Sequence, residues 1–173
     1  MEFLAPLFGS ETIRTYVINS SWAWPILEIV HFAGMALLFG TIGILDLRLL
    51  GIAKRMPVAP LEKLVPLGIF GFLLTLLSGY AFITSAPEGP NDYLTNLSFY
   101  FKTTCLVLAG INVAIFYTTG ISKEVVALGP GEDAPRRAKI IAALSLVLWI
   151  GVIYFGRMLM YVDAFYTREF YPF

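Results

Sequence analysis

The sequence predicts an all-α protein, a four-transmembrane-helix bundle preceded by a short interfacial amphipathic helix. Three observations predict it. Of the 173 residues, 58% are hydrophobic and 14% charged, with a mean hydropathy of +0.77, more apolar surface than a water-soluble domain of this length can hide. Four apolar segments recur at regular intervals, each near the roughly 20 residues needed to cross about 30 Å of hydrocarbon. Lys and Arg gather in two of the three connections between them.

Taken in order, the stretch Glu11 to Asn19 places Ile13, Tyr16 and Val17 on one helical face, opposite Glu11 and Thr15, as an interfacial helix would. The spans then run over Pro25 to Ile44, Leu64 to Ile83, Leu97 to Thr118 and Ile140 to Val162. Pro57 and Pro60 punctuate the first connection, and Gly129, Pro130, Gly131 and Pro135 the third. Neither connection is long enough for a further domain, so residues 1–173 are expected to form a single transmembrane domain. Met1 to Ser21 lacks the basic flank and short apolar core of a secretory signal, and no cleaved leader is expected.

Orientation follows from charge. Arg48, Lys54, Arg55 and Lys63 lie between spans one and two, and Lys123, Arg136, Arg137 and Lys139 between three and four, which makes these connections cytoplasmic. The segment Ala86 to Asn96 has Glu88 and Asp92 and no base, and the tail has Asp163 and Glu169 against Arg168. Both termini are therefore expected to be extracytoplasmic. Trp22, Trp24, Tyr93, Tyr100, Tyr161, Tyr166 and Tyr171 crowd the same side, like an interfacial aromatic belt. The expected location is a bacterial inner membrane, crossed several times.

Composition excludes several classes. Lys+Arg and Asp+Glu are 12 each, so no net field draws nucleic acid. The single cysteine, Cys105, rules out an intrachain disulfide and suits close helix packing. His31 is the only histidine, which rules out a bis-His haem within one chain and leaves too few N and S ligands for a zinc or copper site. No nucleophile with its base, phosphate loop or dinucleotide fingerprint is present, so catalytic residues are not assigned.

What remains is a set of ionisable residues at a common depth, where each needs a partner or a purpose. Glu28 and His31 are three residues apart on the first span, about 5 to 9 Å below its outer end at about 1.5 Å per residue. Lys102 enters the third span by five residues, and Arg157 lies five residues before the end of the fourth. With Glu28 charged and His31 neutral, one positive charge is left over, and it calls for an anion: a lipid headgroup, a carboxylate ligand, a haem propionate or a carboxylate of another subunit. A structural arrangement would instead pair Glu28 with Arg157, let His31 donate to a backbone carbonyl, and have Lys102 snorkel to the headgroups. Met35, one turn from His31, could complete a haem with a single histidine. Asp46 and Arg48 are read as structural, Asp46 pairing with a base of the loop or of the last span. Asn112, Thr75 and Ser78 are read as interhelical hydrogen-bonding residues, and the glycines of spans one, two and four as points of close approach.

The segments WPILEIVHFAGMALLFGTIGILDLRLLG (Trp24 to Gly51) and LWIGVIYFGRMLMY (Leu148 to Tyr161) resemble a bacterial family of four-helix integral membrane proteins. The likeness is carried by the Glu-x-x-His of the first span, the DLRLLG run, Lys102, and the Gly156–Arg157 pair. It implies the fold and brings no activity. A His early in the first span followed by a Gly-rich apolar stretch is also distantly similar to copper-resistance D-type and cytochrome b-like membrane proteins, although their additional histidines are missing. The expected function is binding of a small anionic or redox-active ligand, haem b or a quinone, by Glu28, His31, Lys102 and Arg157, with a role in electron transport. His31 is the candidate haem ligand, oriented by Glu28. The alternatives are a non-catalytic subunit within a larger respiratory or transport complex, or a small transporter. Expected partners are the lipid bilayer and a homo-oligomer or larger membrane complex.

Overall fold

A computed structural model describes residues 9–87 and 89–161. Glu88, Val162, Asp163, Tyr166, Arg168, Glu169 and Tyr171 lie outside the described residues.

The chain is all-α: α1 (Glu11–Asn19), α2 (Ala23–Leu50), α3 (Val58–Glu62), α4 (Val65–Thr84), α5 (Asn91–Leu94), α6 (Leu97–Thr118), α7 (Ile121–Val126) and α8 (Arg136–Met158). α2, α3 with α4, α6 and α8 are long and apolar enough to cross a membrane. They expose Ile29, Leu77 and Val147 each to more than 60%, an arrangement that hydrocarbon satisfies and water does not. The protein is thus a multi-pass membrane protein whose four candidate spans pack as a bundle. The end carrying the 51–57 and 127–135 connections is called here the basic end, and the opposite one, where α2 begins and α8 finishes, the aromatic end.

The bundle is built from two helical hairpins, α2 with α4 and α6 with α8, joined chiefly through α2 and α8. α2 and α4 approach through glycine. A Cβ on Gly71 would stand 2.6 Å from the Gly34 carbonyl oxygen, and one on Gly34 would stand 2.7 Å from that of Gly71. Both are backbone obstacles, so neither position accepts a side chain without parting the helices. In the second hairpin, Cys105 Sγ lies 2.9 Å from where a Gly151 Cβ would be, and Phe101 stacks on Phe155 at 5.1 Å. α4 and α6 have at most marginal contact.

α2 runs well past the expected Ile44. The DLRLL run continues the helix to Leu50, where Gly51 turns it off at φ 94° and its N–H returns to the Arg48 carbonyl. Asp46 and Arg48 are therefore inside the bundle and almost fully buried. Arg48 donates through Nε to the Met56 carbonyl and through Nη2 to that of Gly129 at 2.9 Å, tying the end of α2 to both basic connections. Asp46 was expected to meet a base; among the described residues no ion pair joins it to one, and it faces the cleft that Ser145 of α8 also lines.

The basic end holds the larger core, in which Leu49, Val58, Val125, Ala138 and Ala142 are at most 1% exposed. The Gly131 N–H donates to the Lys54 carbonyl, and Asp133 takes Lys54 at 3.0 Å and Lys139 at 2.7 Å. Arg137 pairs with Glu124. At the other end, α1 buries Val17 and half-buries Ile13, while Tyr16 is 71% exposed rather than joining them. Arg14 fixes α1 by donating to the carbonyls of Ala86 and Pro87.

Candidate functional site

The four ionisable residues expected to share a layer meet different surroundings. His31 is half-buried on the face of α2 turned toward α4. Its Nδ1 is 2.8 Å from Ser78 Oγ, its Cε1 would be 3.6 Å from a Cβ on Gly79, and its ring meets Phe82 edge-on at 5.4 Å. Ser78 Oγ has a single hydrogen, and the Leu74 carbonyl lies 2.6 Å away to receive it. That assigns the proton of the neutral imidazole to Nδ1, donating to Ser78, and leaves the lone pair on Nε2. Nε2 makes no hydrogen bond among the described residues.

Lys102, half-buried on α6, lays its side chain across Gly156 of α8; a Cβ there would touch Lys102 Cδ, Cε and Nζ at 3.7 Å. Its ammonium is close enough to His31 for the two to interact electrostatically. No carboxylate among the described residues is within ion-pair distance of it. The aromatic half of the bundle therefore contains an inward-facing polar group drawn from three helices: His31, Ser78 and Lys102.

Glu28 and Arg157 are exposed at the rim of that half. Glu28 accepts a hydrogen bond from Trp24 Nε1 at 3.1 Å, and Arg157 donates to the Tyr161 hydroxyl at 3.3 Å with its guanidinium 5.5 Å from the same ring. No ion pair joins Glu28 to Arg157. The partner that orients His31 is Ser78 rather than Glu28.

No protein-family model matches the chain, and no curated protein and no solved structure shows significant similarity to it. The likeness seen in the Glu28–His31 and Gly156–Arg157 segments therefore supplies no family assignment.

A second polar group, not singled out by sequence reasoning as a site, lies toward the basic end. Asp46, Asn112, Ser145 and Trp149 line the floor of a cleft of about 590 Å³ bounded by α2, α4, α6 and α8. Asn112 Nδ2 donates to the Ile141 carbonyl of α8 at 3.0 Å, the interhelical bond anticipated for it. Asp46 Oδ2 and Trp149 Nε1 have no hydrogen-bond partner among the described residues, although the two residues are only 5% and 8% exposed. Trp149 gave one signal in the sequence: a tryptophan near the centre of a span is out of place for a residue that favours membrane interfaces. Among the described residues no three His, Cys, Asp or Glu side chains gather as a metal site.

Proposed function

We propose that this membrane protein binds a small anionic or redox-active molecule in the aromatic half of its bundle, and that it does so in a bacterial inner membrane with that half facing outward. The observation that carries the reading is Lys102, a half-buried cation packed against Gly156 in the same half of the bundle as the histidine, with no carboxylate within ion-pair distance among the described residues. A half-buried ammonium without an anion is costly to keep, which favours a ligand that supplies one or at least accepts its hydrogens.

Two ligands suit this donor set. A quinone oxygen can accept from Lys102, and the corresponding quinol hydroxyl can donate to His31 Nε2. A haem b would be held by His31 Nε2, with Lys102 offsetting its acidic groups, and would supply one-electron chemistry. In either case Ser78 holds the ring orientation, as the second partner of a ligating histidine commonly does. Glu28 and Arg157 sit where a headgroup entering from the rim would pass.

A reduced-minus-oxidised absorption spectrum of gently solubilised protein, beside His31→Ala and Lys102→Met, tests the reading. A haem band lost in His31→Ala identifies a haem protein. A colourless preparation from which organic extraction recovers a quinone, depleted in Lys102→Met, identifies the quinone. A colourless preparation that retains neither, from membranes containing both, sinks the ligand reading and leaves the non-catalytic subunit of a larger complex.

A further inference from the structure

The geometry points to a second, separate binding site: the cleft between α4 and α6 takes a membrane-dissolved molecule with an apolar tail and a hydroxyl-bearing head, such as a lipophilic phenol or alcohol, held by Asp46 and Trp149.

Asp46 and His31 are 15 residues apart on α2, about 22 Å at 1.5 Å per residue, so this site lies in the other half of the bundle and does not rest on the reading above. The walls are mostly apolar, with Leu38, Ile42 and Phe72 among them, and Glu62 and Tyr117 are the further polar residues that line the cleft. The mouth is the gap that α4 and α6 leave, where Ile69 and Val113 line the cleft while exposing 55% and 38% of their surface outward. In a bilayer that mouth faces acyl chains.

The floor determines what the head must be. Asp46 of α2 and Ser145 and Trp149 of α8 all line the cleft, and Trp149 stands one helical turn beyond Ser145, so the two residues with unpartnered atoms border the same space. Asp46 Oδ2 calls for a donor, and the Trp149 indole N–H, which cannot accept, calls for an acceptor. A purely hydrocarbon occupant leaves both orphaned. A hydroxyl answers both with one oxygen, donating to Asp46 and accepting from Trp149. Asn112, whose amide nitrogen is bound to Ile141, is fixed beside them and completes a polar floor under an apolar shaft.

The chain has three tryptophans, Trp22, Trp24 and Trp149, and the first two are at the aromatic end. The full-length Trp22→Phe/Trp24→Phe protein therefore reports from the floor alone. Reconstituted in phosphatidylcholine nanodiscs, it is titrated with 2-bromo-4-nonylphenol, whose ring bromine quenches indole on contact, and separately with its methyl ether, which has lost the donor. The expected result is saturable quenching, half-complete at a mole fraction about tenfold lower for the phenol than for the ether. Asp46→Ala is expected to bring the two curves together. Quenching that rises without saturation, quenching that saturates equally for phenol and ether, or the absence of quenching overturns the proposal. The phenol-to-ether comparison uses an intact floor, so it decides the matter even if Asp46→Ala does not fold.

Discussion

Arg48 and Lys102 are both cations drawn into the bundle without a carboxylate within ion-pair distance among the described residues, and their surroundings differ in kind. Arg48 is completely buried at the basic end, where it donates to two backbone carbonyls delivered by two loops. Lys102, in the opposite half, lies along Gly156 of α8 with no ion-pair partner among the described residues. A cation surrounded by carbonyls it organises belongs to the architecture. One held in place by its stem, with neither a carbonyl nor a carboxylate partner seen among the described residues, is available to something else.

The comparison breaks most sharply at Arg48. Arg48→Met should lower stability by on the order of 3 kcal/mol, since two charge-assisted hydrogen bonds are lost and two loop carbonyls are stranded, measured by denaturant titration in mild detergent. Asn112→Leu is the intermediate case, because its amide serves one carbonyl across α6 and α8; about 0.6 kcal/mol is expected by the same assay. Lys102→Met should change stability by no more than about 0.5 kcal/mol while abolishing ligand retention, because the ligand-free protein loses no ion pair among its described residues. A loss as large as that at Arg48 would make Lys102 structural and remove the distinction.

The smallest effect is expected at the surface of the basic end. Hydrogen bonds from Lys139 and then Lys54 hold the Asp133 carboxyl at about 2, below its ordinary 3.8. A carboxyl depressed by folding contributes fully above its unfolded value and loses that contribution as pH falls through the folded one. The tie between the two loops should thus be unchanged from neutral pH down to about 4 and loosen only below it. Spin labels at Arg55 and Glu132 should keep a single distance distribution over the first range and broaden in the second.

The four spans were legible because length and hydropathy set them without reference to neighbours, and the short N-terminal helix followed from the helical spacing of its apolar residues, of which Tyr16 is nevertheless exposed. The end of the first span was not. Asp46 and Arg48 look like interfacial residues, and only the loops folding back over α2 supply the carbonyls that let Arg48 stay inside. Depth was also easier to read than facing. Glu28 and His31 differ by three residues, which leaves about 60° between them around the helix. The contact of Gly34 with Gly71 fixes the rotation that points His31 at Ser78 and leaves Glu28 exposed beside Trp24. The Asp46 and Trp149 pair was illegible for a similar reason: the gap between α4 and α6 is a property of how two hairpins assemble, and no single segment encodes it.

The sideways opening of that gap changes what concentration means for any occupant. A molecule with a ten-carbon tail gains on the order of 8 kcal/mol by dissolving in lipid, at about 0.8 kcal/mol per methylene, before it meets the protein. It then arrives by diffusion in two dimensions from a pool already enriched far above its level in water. The protein has only to discriminate among headgroups, which one buried carboxyl and one indole N–H are enough to do. Its occupancy would follow the composition of the surrounding leaflet, so that diluting the preparation with lipid would empty the cleft even at constant total ligand.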